Sequence, residues 1–588
     1  AIFIGGWPIL RNAYQEVGVA RILGINTLMV MAVSGAMIIG EWGEAAVVVF
    51  LFALGEALES FATERARSAL ESMLDLVPDT ALRVDEQGAT EEIPVDLVEI
   101  HNLVRIRPGD RVSVDGIVME GSSSVDQSAI TGESMPVDKV PGDEVYAGTI
   151  NLSGAIEVEV SHSTQDNTLN RMIALVQQAQ SNQAPVQRFV DRFARVYTPV
   201  VTGLALLVAL VPPLFFAQTF WGSEGWLMRA LQMLVIACPC ALVISTPVSV
   251  VSALTNAASQ GVLIKGGRYL EILGRVNIFA FDKTGTLTEG HPATTDIRNV
   301  CDDPTCENGL QYAAAVEAYT THPLARALVA EATAQKLAVL PAQEVSIMQG
   351  HGVTGKVGDK QVTVASHPYF DTRMPHSDEI CDEADRLTGE GKTVMLVCHD
   401  EMICSIFAVA DQVRTTSQQA ISELKALGQI RTAMLTGDNS SVARSIGLAV
   451  GIDDISAGLL PEEKLQAVRL LKGRHDVVAM VGDGVNDVPA MAQADIGIAM
   501  GGAGTAQSME TADVVLMGED LRQLPFAVRL SRRTQQVINT NIVFSLAIKL
   551  VVFGLAVTGL ATLWMAIVAD VGASLAVILN GMRLRKVS

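Results

Sequence analysis

Asp282-Lys283-Thr284-Gly285-Thr286 follows directly on the apolar run Val276-Asn277-Ile278-Phe279-Ala280-Phe281. A carboxylate at the C-terminal end of a strand in an α/β fold stands where ligands bind. Beside it, Lys283 offers positive charge, while Thr284, Gly285 and Thr286 offer hydroxyl and backbone donors to an anion. That is the chemistry of an aspartyl nucleophile accepting a phosphoryl group. Such a transfer also needs a metal ion and donors around the moving group. Asp483 and Asp487, in Gly482-Asp483-Gly484-Val485-Asn486-Asp487, supply hard oxygens suited to Mg²⁺. Lys464, after Leu460-Pro461-Glu462-Glu463, supplies a cation for the phosphate. In Thr436-Gly437-Asp438, Thr436 provides a hydroxyl and Gly437 a close-approaching amide.

A second constellation is built for metal. Cys238-Pro239-Cys240 lies inside an apolar stretch. Residues two apart on an ideal helix point to nearly opposite sides, but Pro239 cannot donate to the Val235 carbonyl, so the helix opens and both sulfurs can converge. Unwinding of this kind is tolerated in a membrane where it lines a site. Thiolates favour Zn²⁺, Cd²⁺, Pb²⁺ and Cu⁺ over Na⁺, K⁺, Ca²⁺ and Mg²⁺. Lys549 and Asp570 are the only charges between Thr534 and Met582. A mid-membrane charge costs roughly 2.5–3.5 kcal/mol on insertion scales, so such residues pair or serve function. Asp570 is a hard carboxylate, useful to a divalent ion and poorly matched to Cu⁺, and Lys549 can neutralise it once the metal has left. Gly572 admits a close neighbouring helix. A structural Lys549–Asp570 salt bridge without ligation is the competing reading.

The elements that must position these groups fall into two kinds. Apolar segments run over roughly 1–10, 22–40, 43–60, 196–217, 229–255, 537–558 and 561–582. Stretches of about 20 apolar residues read as transmembrane helices. Basic residues mark their inner ends: Arg65 and Arg67, Arg188, Arg192 and Arg195, Arg532 and Arg533, Arg583, Arg585 and Lys586. The positive-inside rule then places both large insertions in the cytosol. Seven spans put Ala1 on the far side, which leads us to expect a preceding portion with at least one more helix. Gly5-Gly6 permits a kink in the first helix.

Between the spans, residues 80–165 read as short alternating strands with turn signals. Residues 265–530 alternate strands and helices, with polar or acidic loops after three strands, indicating one doubly wound sheet with a shared site. Residues about 291–404 interrupt that sheet as an inserted domain. The net charge of −22 argues against nucleic acid as a partner. Seven cysteines, two of them in a membrane helix, form no disulfide framework and read as reduced thiols. Cys301 and Cys306, which flank Asp302, Asp303 and Pro304, read as an ordinary surface loop rather than a metal loop.

Taken together, D-K-T-G-T, T-G-D, G-D-G-V-N-D and Thr131-Gly132-Glu133-Ser134 resemble a P-type ATPase, in order and spacing, over almost the whole chain. The resemblance implies a multidomain membrane protein: an α-helical transmembrane bundle, a β-rich actuator domain, and a doubly wound α/β, haloacid-dehalogenase-like phosphorylation domain carrying an inserted α+β nucleotide-binding domain. The expected boundaries are membrane helices at 1–71, 188–260 and 534–588, actuator 72–187, phosphorylation domain 261–290 and 405–533, and nucleotide-binding domain 291–404. It implies that Glu133, with Thr131 and Gly132, positions the water that hydrolyses the phosphate on Asp282, with Lys464, Thr284 and Thr436 around it. Glu317, His322-Pro323 and Gly350-His351-Gly352 resemble the nucleotide pocket of heavy-metal pumps, so Glu317, His322, Gly350 and Gly352 are expected at ATP, with Gly437, Asp438 and Asn486. Mg²⁺ is expected at Asp282, Thr284, Asp483 and Asp487.

Cys-Pro-Cys, then Lys549 in the penultimate helix and Asp570-x-Gly572 in the last, resembles the zinc-, cadmium- and lead-exporting pumps. Cys238, Cys240 and Asp570 are then the ligands of the transported Zn²⁺, Cd²⁺ or Pb²⁺, Lys549 the counterion, and Glu44 a release site. Met29, Glu56 and Phe52 are weaker candidates along the path. The implied protein is a functional monomer in the cytoplasmic (inner) membrane, in contact with lipid, with a soluble metal-donor domain or carrier left open as partner. A Cu⁺ exporter, a membrane-tethered aspartyl phosphatase and a metal-gated sensor stand as alternatives.

Overall fold

The computed structural model describes the chain apart from residues 1, 20–24, 75–77, 86–87, 129–135, 164–166, 168–169, 171–184, 223–224, 237–239, 302–308, 321, 349–350, 375, 401, 439, 484–486, 502–510, 519, 559, 561 and 588. Two compact units emerge: 1–275 with 526–588, and 276–525.

In the first unit, apolar helices form a bundle. Four are long and apolar enough to cross a membrane among the described residues: Val196–Phe216, Trp226–Ser259, Gln523–Ala556 and Trp564–Lys586. Asn26–Ile39 is apolar but shorter. The 33-residue helix Trp42–Leu74 carries the third apolar stretch and continues into a charged extension. Leu563–Met582 packs on Cys240–Ser259 and on Trp42–Leu74. Several polar groups inside the bundle pair with one another: Asn580 Nδ2 donates to Asn541 Oδ1 at 2.8 Å, and Asn256 Nδ2 donates to the Leu584 and Val587 carbonyls at 2.9 and 2.7 Å.

The β-rich insertion in this unit contains an antiparallel sheet in which Leu103–Ile106 pairs with Ile156–Val160, and Ile156–Val160 with Gly116–Gly121. Ile156, Val158 and Val160 face its core while Glu157 and Glu159 alternate outward. That is the period of two expected when one face of a strand is buried.

In the second unit, Ile278–Asp282 lies between Arg431–Leu435 and Val478–Gly482, parallel to both. All five residues of the central strand are buried, including Asp282. A strand covered on both faces reads as a continuous apolar run, which is why Ile278-Phe279-Ala280-Phe281 shows no alternation. The interruption between the first and second of these strands is an antiparallel sheet. Its order runs Thr288–Asn299, Met402–Val413, Thr393–His399, Lys360–Ser366, Gly352–Val357, Ala342–Met348. Here the alternation is strict: Met395, Val397 and Phe407 pack under the helices Gly309–Glu317 and Pro323–Ala334. Leu396, Cys398 and Ile406 pack on the other face, against Phe370, Ile380 and Leu387. The strands Thr288–Asn299 and Met402–Val413 are each 12 residues long and pair with one another. Cys301 carries a disulfide bond, so the thiols are not all reduced as expected; Cys381, Cys398 and Cys404 are free.

Candidate functional site

Parallel pairing fixes the catalytic geometry. Asp282 is in register with Leu435, and Phe281 with Val481, so Asp282, Thr436 and Asp483 all emerge at one edge of the sheet. Oxygens of Asp282, Asp483 and Asp487 lie within 4.8 Å of one another. Lys464 Nζ donates to Asp282 Oδ1 and, at 2.9 Å, to Asp487 Oδ1. Lys464 therefore supplies the cation beside Asp282; Lys283 turns instead to Asp438, at 2.5 Å. Three carboxylates around one ammonium leave surplus negative charge in a buried place. Burial, and then the charge of Asp487, outweighs Lys464 and pushes the Asp282 carboxyl up to about 6. Burial, followed by the Asp282 charge, raises Asp483 as well, and burial raises Asp487. Burial pulls the Lys464 ammonium down, but Asp282 and Asp487 more than offset it and hold it above its ordinary value. A divalent cation is the species that such a donor set accommodates: hard oxygens, converging, with uncompensated charge.

The loop after Asp282 is clamped from a distance. Gly285 adopts φ +69°, and a Cβ there would fall 1.7 Å from Asp483 Oδ2, so only glycine admits the acidic neighbour. Arg414 donates from Nη2 to the Gly285 carbonyl at 3.1 Å and from Nε to the Thr288 carbonyl at 3.0 Å. Ser417 Oγ donates to Leu287 O at 2.8 Å. Asp411 accepts from Thr288 Oγ1 at 2.5 Å and from the Gly290 amide at 2.9 Å. Asp411, Arg414 and Ser417 were not singled out from the sequence. They lie more than 120 residues along the chain from the loop that they hold, and no motif joins them to it.

On the inserted domain, Glu317, Thr320, His322, Gly352 and Val364 line a cavity of about 500 Å³ with otherwise largely apolar walls. His322 caps the helix Pro323–Ala334, its Nδ1 accepting from the Leu324 amide at 3.3 Å. This leaves the ring itself exposed. A Cβ on Gly352 would come within 2.0 Å of the Val364 carbonyl oxygen. Glu317 is 6 % exposed and Thr320 Oγ1 donates to it at 3.3 Å. Burial prevails over that hydrogen bond and lifts Glu317 from the usual 4.5 to about 7. The folded protein thus keeps a proton there that the unfolded chain releases. Its contribution to stability is complete below the unfolded value and is lost as pH rises towards about 7. Glu317→Gln, which retains the hydrogen-bonding shape and removes the charge, is expected to make little difference near pH 4. Above pH 8 it should stabilise the helix Gly309–Glu317 by roughly 3 kcal/mol. Hydrogen exchange of that helix in the full chain reads the effect, and an equal change at both pH values contradicts it.

Within the membrane bundle, Lys549 Nζ donates to Asp570 Oδ1 at 2.8 Å and to the Ile236 carbonyl at 3.2 Å. Ile236 ends the helix Trp226–Ile236, and Cys240 opens Cys240–Ser259. Glu44 sits in the first turn of Trp42–Leu74, its Oε2 buried and without a hydrogen-bond partner among the described residues. Met29 is buried and Phe52 packs in the same apolar core, whereas Glu56 is exposed. Thr131, Gly132, Glu133, Cys238, Gly350 and Asn486, and the side chain of Cys240, lie outside the described residues. Thr284 follows Asp282 with φ −75° and ψ 131°, and Gly437 lies exposed beside Thr436, whose hydroxyl accepts from the Asp438 amide at 3.1 Å.

A strand-end aspartate held by a lysine and two further carboxylates, joined to a separate β-rich domain and a helical membrane bundle, defines a phosphoryl-transferring membrane enzyme. The comparisons agree. Residues 276–495 match the haloacid dehalogenase-like hydrolases, and 75–177 the P-type ATPase actuator domain. A probable cadmium-transporting ATPase of Staphylococcus aureus (strain MRSA252) is 44% identical over 592 residues, covering 100% of this chain and 81% of its own. The zinc/cadmium/lead-transporting P-type ATPase of Escherichia coli (strain K12) is 40% identical over 584 residues, covering 99% and 78%. The crystal structure of a zinc-transporting PIB-type ATPase in the E2·Pi state superposes with TM-score 0.67 at 40% identity, covering 100% of this chain and 94% of that one. The chain belongs to the P-type ATPases, in the heavy-metal, PIB-type family. It is a multi-pass membrane enzyme with cytosolic catalytic domains.

Proposed function

We propose that this ATPase exports Zn²⁺, and with it Cd²⁺ and Pb²⁺, through an aspartyl-phosphate intermediate on Asp282. One observation carries the choice of cargo. Lys549 bridges Asp570 and the Ile236 carbonyl, at the helix end that leads into Cys238-Pro239-Cys240. That contact holds a membrane carboxylate and its counterion at Ile236, just before the thiol motif in sequence, which supports a mixed hard and soft donor set suited to a borderline divalent ion. The names of the relatives, cadmium- and zinc/cadmium/lead-transporting, support the same cargo.

In this reading, metal at Cys238, Cys240 and Asp570 displaces Lys549 from Asp570. Asp282 then attacks the γ-phosphorus of ATP, breaking its bond to the bridging oxygen of the β-phosphate and releasing ADP; the base rests in the cavity of Glu317, His322 and Gly352, with Gly350 assigned to it from the sequence. Lys464 neutralises charge on the transferring group, and Thr284, Thr436, Gly437, Asp438 and Asn486 complete its surroundings. Asp282, Thr284, Asp483 and Asp487 would hold Mg²⁺, which supplies charge neutralisation to the phosphoryl oxygens when bound. Release past Glu44 follows, and Glu133, with Thr131 and Gly132, directs water onto the phosphoenzyme. The enzyme acts as a monomer.

The test is a metal panel on purified protein, with Asp282→Asn as the blank. ATP hydrolysis is expected to rise with Zn²⁺, Cd²⁺ and Pb²⁺, and Glu133→Gln is expected to accumulate phosphoenzyme. Stimulation by Cu⁺ alone would identify a copper pump and overturn the cargo. Phosphate release that ignores metal, and is unchanged by Cys238→Ala, would identify a tethered phosphatase. Metal-stimulated hydrolysis without ATP-dependent uptake into sealed vesicles would leave a sensor.

A further inference from the structure

A second group of metal-ligating side chains lies on the inserted domain, beginning next to Ser366 of the cavity wall. The helix His367–Asp371, the turn after it and the helix Asp378–Gly389 bring His367, Asp371, His376 and Cys381 together. One ligand atom from each lies within 4.8 Å of all the others. Asp371 Oδ1 is 3.2 Å from His367 Nε2 and 3.1 Å from His376 Nε2. Cys381 Sγ is 3.2 Å from His376 Nε2 and 4.0 Å from Asp371 Oδ1. Ligands at zinc's usual bond lengths of about 2.0–2.3 Å, arranged tetrahedrally, stand roughly 3.3–3.6 Å apart. The donor separations bracket that range.

The hydrogen-bond pattern also suits a cation. His376 Nδ1 lies 2.8 Å from the Met374 carbonyl, which can only accept, so Nδ1 carries a proton. In the neutral ring, Nε2 then presents its lone pair to the centre of the group, where the Cys381 thiol can donate to it at 3.2 Å. A metal-bound histidine is oriented in this way, with its far nitrogen donating to a backbone carbonyl. His367 Nε2 is a buried atom that makes no hydrogen bond among the described residues, with Asp371 Oδ1 3.2 Å away. Asp378, Asp382 and Asp385 add negative potential around Cys381. Two imidazoles, a thiol and one carboxylate form a closed four-ligand set of the kind that holds a structural ion rather than a catalytic one.

We infer that His367, Asp371, His376 and Cys381 form a cytosolic binding site for a thiophilic divalent ion, Zn²⁺ or Cd²⁺, separate from the transport path. The inference rests on the proposed function only for the identity of the ion. It is tested on the purified full chain, stripped of metal and titrated with Zn²⁺ for stoichiometry and with Co²⁺ for its thiolate charge-transfer absorption. In Cys238→Ser/Cys240→Ser, one equivalent of Zn²⁺ and the Co²⁺–thiolate band are expected to remain. Adding Cys381→Ser should remove the band, and His376→Ala should lower Zn²⁺ affinity at least tenfold. Stoichiometry and band unaltered by both additions would overturn the site. If Cys238→Ser/Cys240→Ser removes no metal while Cys381→Ser does, the transport reading fails and the cytosolic site stands.

Discussion

Asp282→Asn is expected to abolish acid-stable labelling from the γ-phosphate of ATP and to lower metal-stimulated hydrolysis by roughly 10⁴-fold or more, the scale of removing a nucleophile. The surroundings of Asp282 say why the protein should nevertheless fold. Asp282, Asp483 and Asp487 crowd together, with Lys464 bridging Asp282 and Asp487, and burial together with the neighbouring charge raises Asp282 to about 6. Asparagine removes one of the mutually repelling charges and leaves Lys464 its 2.9 Å contact with Asp487. The variant should be at least as resistant to thermal unfolding as the parent. Lys464→Met makes the opposite change, taking the bridging ammonium from Asp282 and Asp487. Breaking a buried pair in this manner costs about 3–5 kcal/mol. Labelling and unfolding temperature, measured on the two variants side by side, separate chemistry from stability. Residual label in Asp282→Asn, or an asparagine variant less stable than Lys464→Met, would contradict this account.

How far the sequence reaches is visible in the same pocket. The aspartate at a strand end was legible because a doubly covered strand must be continuously apolar and must stop where a polar group is needed. The glycine after it was legible as a donor, but its reason, the 1.7 Å approach to Asp483, belongs to the tertiary fold. Lys283 was the nearest cation in sequence, and proximity along the chain misled: its side chain reaches Asp438, while Lys464 arrives from a helix 182 residues away. Asp411, Arg414 and Ser417 gave no signal at all. Their function is to hold backbone carbonyls, amides and a threonine hydroxyl, and such partners leave no motif. In the membrane the balance is reversed. An isolated Lys549 and an isolated Asp570 stand out against uncharged helices, so physics alone demands that they find each other or a ligand.

That demand yields the second large effect. Asp570→Asn is expected to abolish metal-stimulated ATP hydrolysis, because the carboxylate is the hard ligand in the proposed cargo site. It also takes from Lys549, in an apolar bundle, the carboxylate that neutralises it. Lys549→Met leaves Asp570 charged and unpaired. Each single change should therefore destabilise the bundle by about 3–5 kcal/mol. The double variant Lys549→Met/Asp570→Leu removes both charges together and replaces them with apolar groups, which commonly restores stability. A purely structural salt bridge and a metal ligand predict the same recovery of folding, but they part on function. If the pair only held helices together, the double variant would regain both its unfolding temperature and its stimulation by Zn²⁺. If Asp570 binds the ion, stability returns and stimulation does not. Recovery of both sinks the assignment of Asp570 as a ligand. Recovery of stability alone separates the role of the pair in the fold from the role of the carboxylate in transport, which neither single variant can do.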